Sequence, residues 1–310
     1  MRNAVSEVTG YIYIFGIVMA VLAIVFVQVH SMVEDMKRSV LSQSLEQSFK
    51  RIEHIVYSVA FGGMPAQSVE IELQGGMISL EKGEPEFIIA FVNDSNSISD
   101  CVDLPNFQLY CLNLSTGRIS DPSNCAGQFD RQACVLNRTV GILRYEYGNW
   151  MISIEGGAIF SKQGEYSKLL YEPRILVNTT AGTSMYLLMT IPTLEGDFSA
   201  GGSGRIKVLV KENEPYTFSR LEGVNIGGVG VQWKGKFDRA YVMVKDTEHQ
   251  DAWCRFFDGF ELLNTTLRAE NCHGINPCMC KKADLPIAMI ETNLNTNVVI
   301  VFKSVIFAQQ

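Results

Sequence analysis

Cysteine, histidine and carboxylate side chains carry most metal and hydrolytic chemistry, and here they gather near the C-terminus. Cys272-His273 is followed by Cys278-Met279-Cys280, with His249 and Cys254 upstream. Thiolates and imidazoles in one stretch can ligate zinc, but structural zinc sites space paired cysteines by two to four residues, and Cys278-x-Cys280 is shorter. Gly223–Gly230 (GVNIGGVG) lacks the Lys-Ser/Thr of a phosphate cradle and the spacing of a dinucleotide fingerprint, so it reads as a turn or bulge. Gly202-Ser203-Gly204 is not a nucleophile elbow and reads as a flexible connection. The acidic pairs Asp258/Glu261 and Glu212/Glu214 suit a solvated surface, and His30 and His54 lie on a helical stretch at an interface or facing solvent. No nucleophile is spaced against a base. The sequence therefore names no catalytic residue, no cofactor and no metal ligand set, and points away from an enzyme.

The cysteines are better read as oxidised pairs. All eight (Cys101, Cys111, Cys125, Cys134, Cys254, Cys272, Cys278 and Cys280) lie in two groups of four beyond residue 100, an even count suited to disulfides in an oxidising compartment. In the first group, Cys101 with Cys111 and Cys125 with Cys134 is the simplest of three connectivities, and spacing does not choose among them. Five sequons, at Asn93, Asn113, Asn137, Asn178 and Asn264, are glycosylation candidates that point to the same compartment. A net charge of −7 argues against a nucleic-acid partner, which would need a basic face.

The element that must position all of this is the first sixty residues. Tyr11 to Val29 carries no ionisable side chain except two tyrosines, and at about 1.5 Å per residue it spans a bilayer's apolar core. Helical spacing of apolar residues continues through Met32, Met36, Val40, Leu41, Leu45, Phe49, Ile52, Val56 and Val59, with charged residues between them. Neither proline nor glycine interrupts Ile17 to Phe61, and Gly62-Gly63-Met64-Pro65 supplies a stop. We therefore expect a membrane helix over 11–29 running into an amphipathic stalk over 30–62, a rod about 80 Å long in all. The apolar run exceeds that of a cleaved secretory signal.

Ahead of that helix, residues 1–10 include Ala4-Val5-Ser6-Glu7-Val8-Thr9-Gly10. A small residue followed by Val-Ser-x-Val-x-Gly and an apolar helix resembles the N-terminal segment of archaeal type IV pilins and archaellins. The resemblance covers about the first thirty residues. It implies cleavage by a prepilin peptidase at Ala4/Val5, handling by a pilus assembly machinery, and self-association through the N-terminal helices, with Tyr11, Phe15, Leu22 and Phe26 on the packing surface. It also implies that Glu7 neutralises a freed amino terminus. The other reading of Glu7 is an acidic group in the headgroup region that suits the helix dipole. The leader Met1-Arg2-Asn3-Ala4 departs from the family in having a single basic side chain.

Residues 63–310 read as an extracellular β-rich domain. Ser68–Leu73, Met77–Leu80 and Phe87–Val92 look like an antiparallel meander, and residues 93–135 like a disulfide-stapled surface excursion. Ile142–Tyr147 and Trp150–Ile154 flank Gly148-Asn149 as a hairpin, followed by a Gly156-Gly157-Ala158-Ile159-Phe160 turn. Further strands are expected near Arg174–Val177, Met185–Ile191, Arg205–Lys211, Val229–Trp233 and Arg239–Val244. Thr247 to Leu263 repeats its apolar residues helically, the cysteine cluster spans 254–280, and Asn297 to Phe307 closes the chain as a strand. The fold class is α+β: a long N-terminal helix, then a mainly antiparallel β-sandwich-like domain with one short late helix. This layout resembles a group of archaeal pilin-like membrane proteins. Two functions fit it. One is a structural subunit of a type IV pilus-like surface filament. The other is a membrane-anchored binding or adhesion module that does not polymerise, presenting Tyr145, Tyr147, Trp150, Trp233 and Trp253 to a glycan or protein.

Overall fold

A computed structural model describes residues 2–92, 101, 108–114, 116–127, 130–180, 184–213, 217–220, 225–226, 229–230, 239–258, 287–291 and 295–309. Helix α1 spans Arg2–Phe61 without a break, as the uninterrupted pattern requires. It ends where Gly63 enters the left-handed region at φ 72° and Met64 N–H turns back to Ser58 O. Residues Met1–Ser48 form one compact unit and Phe49–Gln310 a second. The last three turns of α1 thus belong to the β body, whose boundary lies fourteen residues before the expected 62/63 junction.

Among the described residues the strands form three six-stranded sheets and a two-stranded ribbon. The long-strand sheet runs Ala66–Glu72, Arg205–Glu212, Asn295–Gln309, Ser184–Glu195, Ile175–Thr180, with Thr217–Arg220 also paired to Asn295–Gln309. Its central pair is parallel, from Ser184 opposite Asn295 to Glu195 opposite Ile306. The hairpin sheet runs Tyr166–Tyr171, Ala158–Gln163, Trp150–Glu155, Ile142–Tyr147, Met77–Glu81, Phe198–Gly201. The cysteine sheet runs Ile287–Glu291, Arg239–Lys245, Glu86–Val92, Asp130–Thr139, Gln108–Asn113, Ile119–Ser120. Helix α2 spans Gln250–Asp258, inside the expected Thr247–Leu263 range; residues 259–263 lie outside the described ones.

Two expectations are corrected. The first three strands are not a meander: each enters a different sheet, pairing with Arg205–Glu212, Ile142–Tyr147 and Asp130–Thr139 respectively. Local alternation fixes which face a strand buries, not which strand it meets. Nor is 93–135 wholly a surface excursion. Gln108–Asn113 and Asp130–Thr139 are sheet strands, and Ala133, Cys134 and Val135 are buried.

The reason for that burial is visible in Glu86–Val92 (EFIIAFV), an apolar run with no alternation, which marks a strand covered on both faces. Phe87, Ile89 and Phe91 point to one core with Phe160, Met189, Ile191, Trp253 and Phe257. Ile88, Ala90 and Val92 point to another with Leu112, Val135, Tyr241 and Met243.

Candidate functional site

The surface of α1 is the most constrained in composition. Gly10–His30 is 21 residues long and none of it is buried within the chain. At about 1.5 Å per residue it matches the ~30 Å apolar core of a bilayer, so it fits a membrane anchor. Tyr11, Phe15, Leu22 and Phe26 are all exposed on it. Ala4, Val5 and Glu7 lie on the same helix backbone. Exposure of apolar side chains continues past the span, at Met32, Val33, Met36 and Val40.

The foot of α1 is built differently. Phe49, Ile52, Val56, Val59 and Ala60 are buried, and so is Glu53, which shares their face. Burial pushes the Glu53 carboxyl up, opposed by Arg174, His54 and Lys50. Arg174 reaches Glu53 at 3.5 Å and lies over the Tyr57 ring, 3.7 Å from its centroid. The Tyr57 hydroxyl donates to Thr190 O at 3.1 Å, and burial raises its pKa. Lys50 sits 4.5 Å above the Tyr171 ring. The seat for this foot is the Gly156-Gly157 turn, with both residues at positive φ, 56° and 83°. A Cβ on Gly157 would meet the Tyr57 hydroxyl at 2.1 Å, and one on Gly156 would meet the Phe87 ring at 2.6 Å. The Gly-Gly-Ala-Ile-Phe pattern in the sequence is therefore more than a turn: its missing side chains make room for the helix and the core.

A second polar cluster lies under α2. His249, at its start, stacks on Phe160 with ring centroids 4.6 Å apart. Ser153 Oγ meets His249 Nε2 at 2.6 Å and Ser167 Oγ meets Nδ1 at 3.1 Å. A neutral ring satisfies both, one nitrogen donating and the other accepting. Burial holds the His249 pKa down to about 3, helped by Lys162 and Arg144. Beside it, Glu155 Oε1 accepts from Thr247 Oγ at 2.6 Å and from the Trp253 indole N–H. Glu155 Oε2 is buried without a partner among the described residues. Burial pushes this carboxyl up to about 7, against Thr247 and Trp253, which lower it. A serine against a histidine is the pairing that activates a nucleophile. Here Ser153, Ser167 and His249 are all buried, and each ring nitrogen is taken by a different hydroxyl, so the cluster joins α2 to the hairpin sheet.

Several sequence candidates find other places. In the first cysteine group the disulfides are Cys101–Cys134 and Cys111–Cys125, not the simplest neighbour pairing. Gln108–Asn113 lies against Asp130–Thr139, and its hairpin with Ile119–Ser120 carries Cys125 back to Cys111, leaving Cys101 to Cys134 in a nested arrangement. Cys254 is disulfide-bonded and both nitrogens of His249 are occupied, which removes these two as zinc ligands. Cys272, Cys278, Cys280, Asn93, Asn264 and Trp233 lie outside the described residues. Asn113 holds Asp130 at 2.7 Å and accepts from Thr116, an engaged side chain for a glycan acceptor. Asn137 lies on an inner strand with its Oδ1 buried, and Asn178 is on the strand Ile175–Thr180. Tyr145 and Trp253 are core residues. Asn225–Ile226 pairs with Val229–Gly230 as the two-stranded ribbon, and Gly227-Gly228 lies outside the described residues. The sequence reading missed Glu53, Tyr57, Arg174, Ser153, Glu155 and Ser167. One signal was present for Glu53, a carboxylate on the apolar face of its helix. The others make contacts across 82 to 133 residues.

Comparison with known proteins gives family membership. A model described as "Family of unknown function (DUF7289)" matches residues 3–281. An uncharacterized protein of Archaeoglobus fulgidus is 46% identical over 316 aligned residues, covering 99% of this chain and 100% of the relative. A second uncharacterized protein of that organism is 24% identical over 259 residues, covering 82% and 88%. No solved structure matches. With nearly its whole length matched, and with a close full-length relative in an archaeon, the chain belongs to the DUF7289 family.

Proposed function

We propose that the protein is a structural subunit of an archaeal type IV pilus-like surface filament. In this reading α1 is both the membrane anchor and the filament core, and the disulfide-bearing β body faces the exterior. The observation that carries it is the length of exposed apolar helix. A bilayer accounts for about 20 residues, yet Met32, Val33, Met36 and Val40 extend the uncovered surface well beyond His30. Spaced at i, i+4 and i+8, Met32, Met36 and Val40 form one stripe, the geometry by which helices pack on helices. The Val-Ser-x-Val-x-Gly opening supports the same reading and adds a prepilin peptidase and an assembly machinery as partners. Removing residues 1–30 abolishes filaments and releases a folded, soluble body. Electron microscopy finding filaments of unchanged abundance from the truncated protein refutes the proposal, and N-terminal sequencing of the native chain gives Val5 if the peptidase acts.

A second reading, an anchored cell-surface binding or adhesion module that does not polymerise, draws on one feature. Tyr147, Trp150, Gln163 and Tyr166 stand opposite one another across the end of the hairpin sheet, with both tyrosines exposed. A solubilised chain that sediments as a monomer with an intact Met1 selects this reading.

A further inference from the structure

The cluster under α2 contains two ionisable groups that the proposed function does not use. Glu155 and His249 lie on opposite partners of one contact: Glu155 ends a strand of the hairpin sheet, and His249 leads into the helix docked on it. Each is held across that contact by uncharged groups. Thr247 and Trp253 reach Glu155, while Ser153 and Ser167 reach His249. The nearby arginine and lysine have ion-pair partners of their own, and the Arg144–Glu248 pair crosses the same contact. Arg144 pairs with Glu81, Glu146 and Glu248 at 3.1, 3.4 and 2.8 Å, and Lys245 pairs with Glu86 and Asp246. Arg255 donates to Ser167 O, and Lys162 and Asp251 are further charges on the two packed elements. Among the described residues, an ionised Glu155 would leave Oε2 without a partner in the core, and an ionised His249 would need both serines as acceptors with no counter-ion.

We propose that Thr247–Phe257 is a proton-compensated clasp: it docks with Glu155 protonated and His249 neutral, and lifting it releases one proton from Glu155 while His249 takes one up. The proton count is balanced, with neutral acid and neutral base when closed, carboxylate and imidazolium when open.

The sign of each half follows from linkage. Lifting returns Glu155 from about 7 to its ordinary 4.5, so opening becomes easier as pH rises from 4.5 to 7. Lifting returns His249 from about 3 to 6.5, so opening becomes easier as pH falls from 6.5 to 3. Between pH 4.5 and 6.5 both groups act in opposite directions and cancel. The clasp therefore keeps a constant hold across acidic surroundings in which either group alone would make it pH-sensitive.

The test is amide hydrogen exchange across Gln250–Phe257 in the full chain in detergent, corrected for intrinsic rates. In the native chain the opening constant changes by less than about threefold between pH 4.5 and 6.5. In Glu155→Gln it rises about tenfold for each unit of falling pH in that window, and in His249→Gln about tenfold for each unit of rising pH. A native chain whose opening changes more than tenfold, or either variant staying flat, overturns the proposal. Should a variant fail to fold, infrared titration of the native chain decides. The carboxylic-acid carbonyl band of a buried acid must persist at pH 6 and vanish near 7, and its loss near 4.5 refutes the clasp.

Discussion

Replacing Gly157 with alanine tests whether the glycine turn is the seat of α1. The new Cβ would lie 2.1 Å from the Tyr57 hydroxyl, 2.9 Å from Tyr57 Cζ and 3.1 Å from Pro192 Cδ. At φ 83° it also carries left-handed backbone strain of roughly 1–2 kcal/mol. Relieving the clash moves the tyrosine away from Thr190 O, which forfeits a hydrogen bond worth about 1 kcal/mol. Together these give about 2–3 kcal/mol, or a fall of roughly 4–12 °C in the melting temperature of a domain this size. The measurement is thermal unfolding of the full chain in detergent, with Gly148→Ala as control. Gly148 also has positive φ, 61°, but a Cβ there meets nothing within 4 Å, so it reports backbone strain alone. In a Tyr57→Phe background Gly157→Ala costs about 1 kcal/mol less, because the closest atom is gone. Equal melting losses for Gly157→Ala and Gly148→Ala would mean that α1 does not rest on this turn.

Two further outcomes come from the same geometry. Non-reducing peptide mapping recovers Cys101 with Cys134 and Cys111 with Cys125; a Cys101–Cys111 peptide contradicts the sheet order. Loop closure over separations of 33 and 14 makes serine replacement of the first pair cost about 4 kcal/mol and of the second about 3. Global unfolding frees Glu155 as well, so the His249 contribution lost as pH falls from 6.5 is offset down to 4.5 and shows as a net loss from 4.5 towards 3. In His249→Gln this acid-side slope, measured by urea unfolding at stepped pH, is shallower by up to one proton.

How much of the fold was readable depended on the range of the interaction. The hairpin Ile142–Tyr147 with Trp150–Glu155 needs only a turn and two alternating strands, and it formed where expected. The closing strand was expected over Asn297–Phe307 and spans Asn295–Gln309, because its apolar, β-branched run is itself the signal. Its parallel partner, Ser184–Glu195, was not readable, since about a hundred residues separate the two and nothing local encodes the pairing. The disulfide pairing was left open for the same reason: spacing does not choose among the three connectivities, whereas sheet order brings Cys134 to Cys101. For the polar clusters, composition gives Ser153, Glu155 and Ser167 as ordinary strand residues. Only the docking of α2 makes them buried partners of His249 and Trp253.

By itself, the order of residues determined the uninterrupted helix, its apolar opening, its glycine stop and the β character of the chain beyond residue 65, because each depends on neighbours within a turn or a strand. Tertiary structure alone decided that the last turns of that helix belong to the body and that Gly157 is empty to receive Tyr57. It also decided that a glutamate and a histidine nearly a hundred residues apart are buried in one cluster, bridged by Thr247. Those are contacts between distant segments, and their energies exist only once the sheets have closed around them.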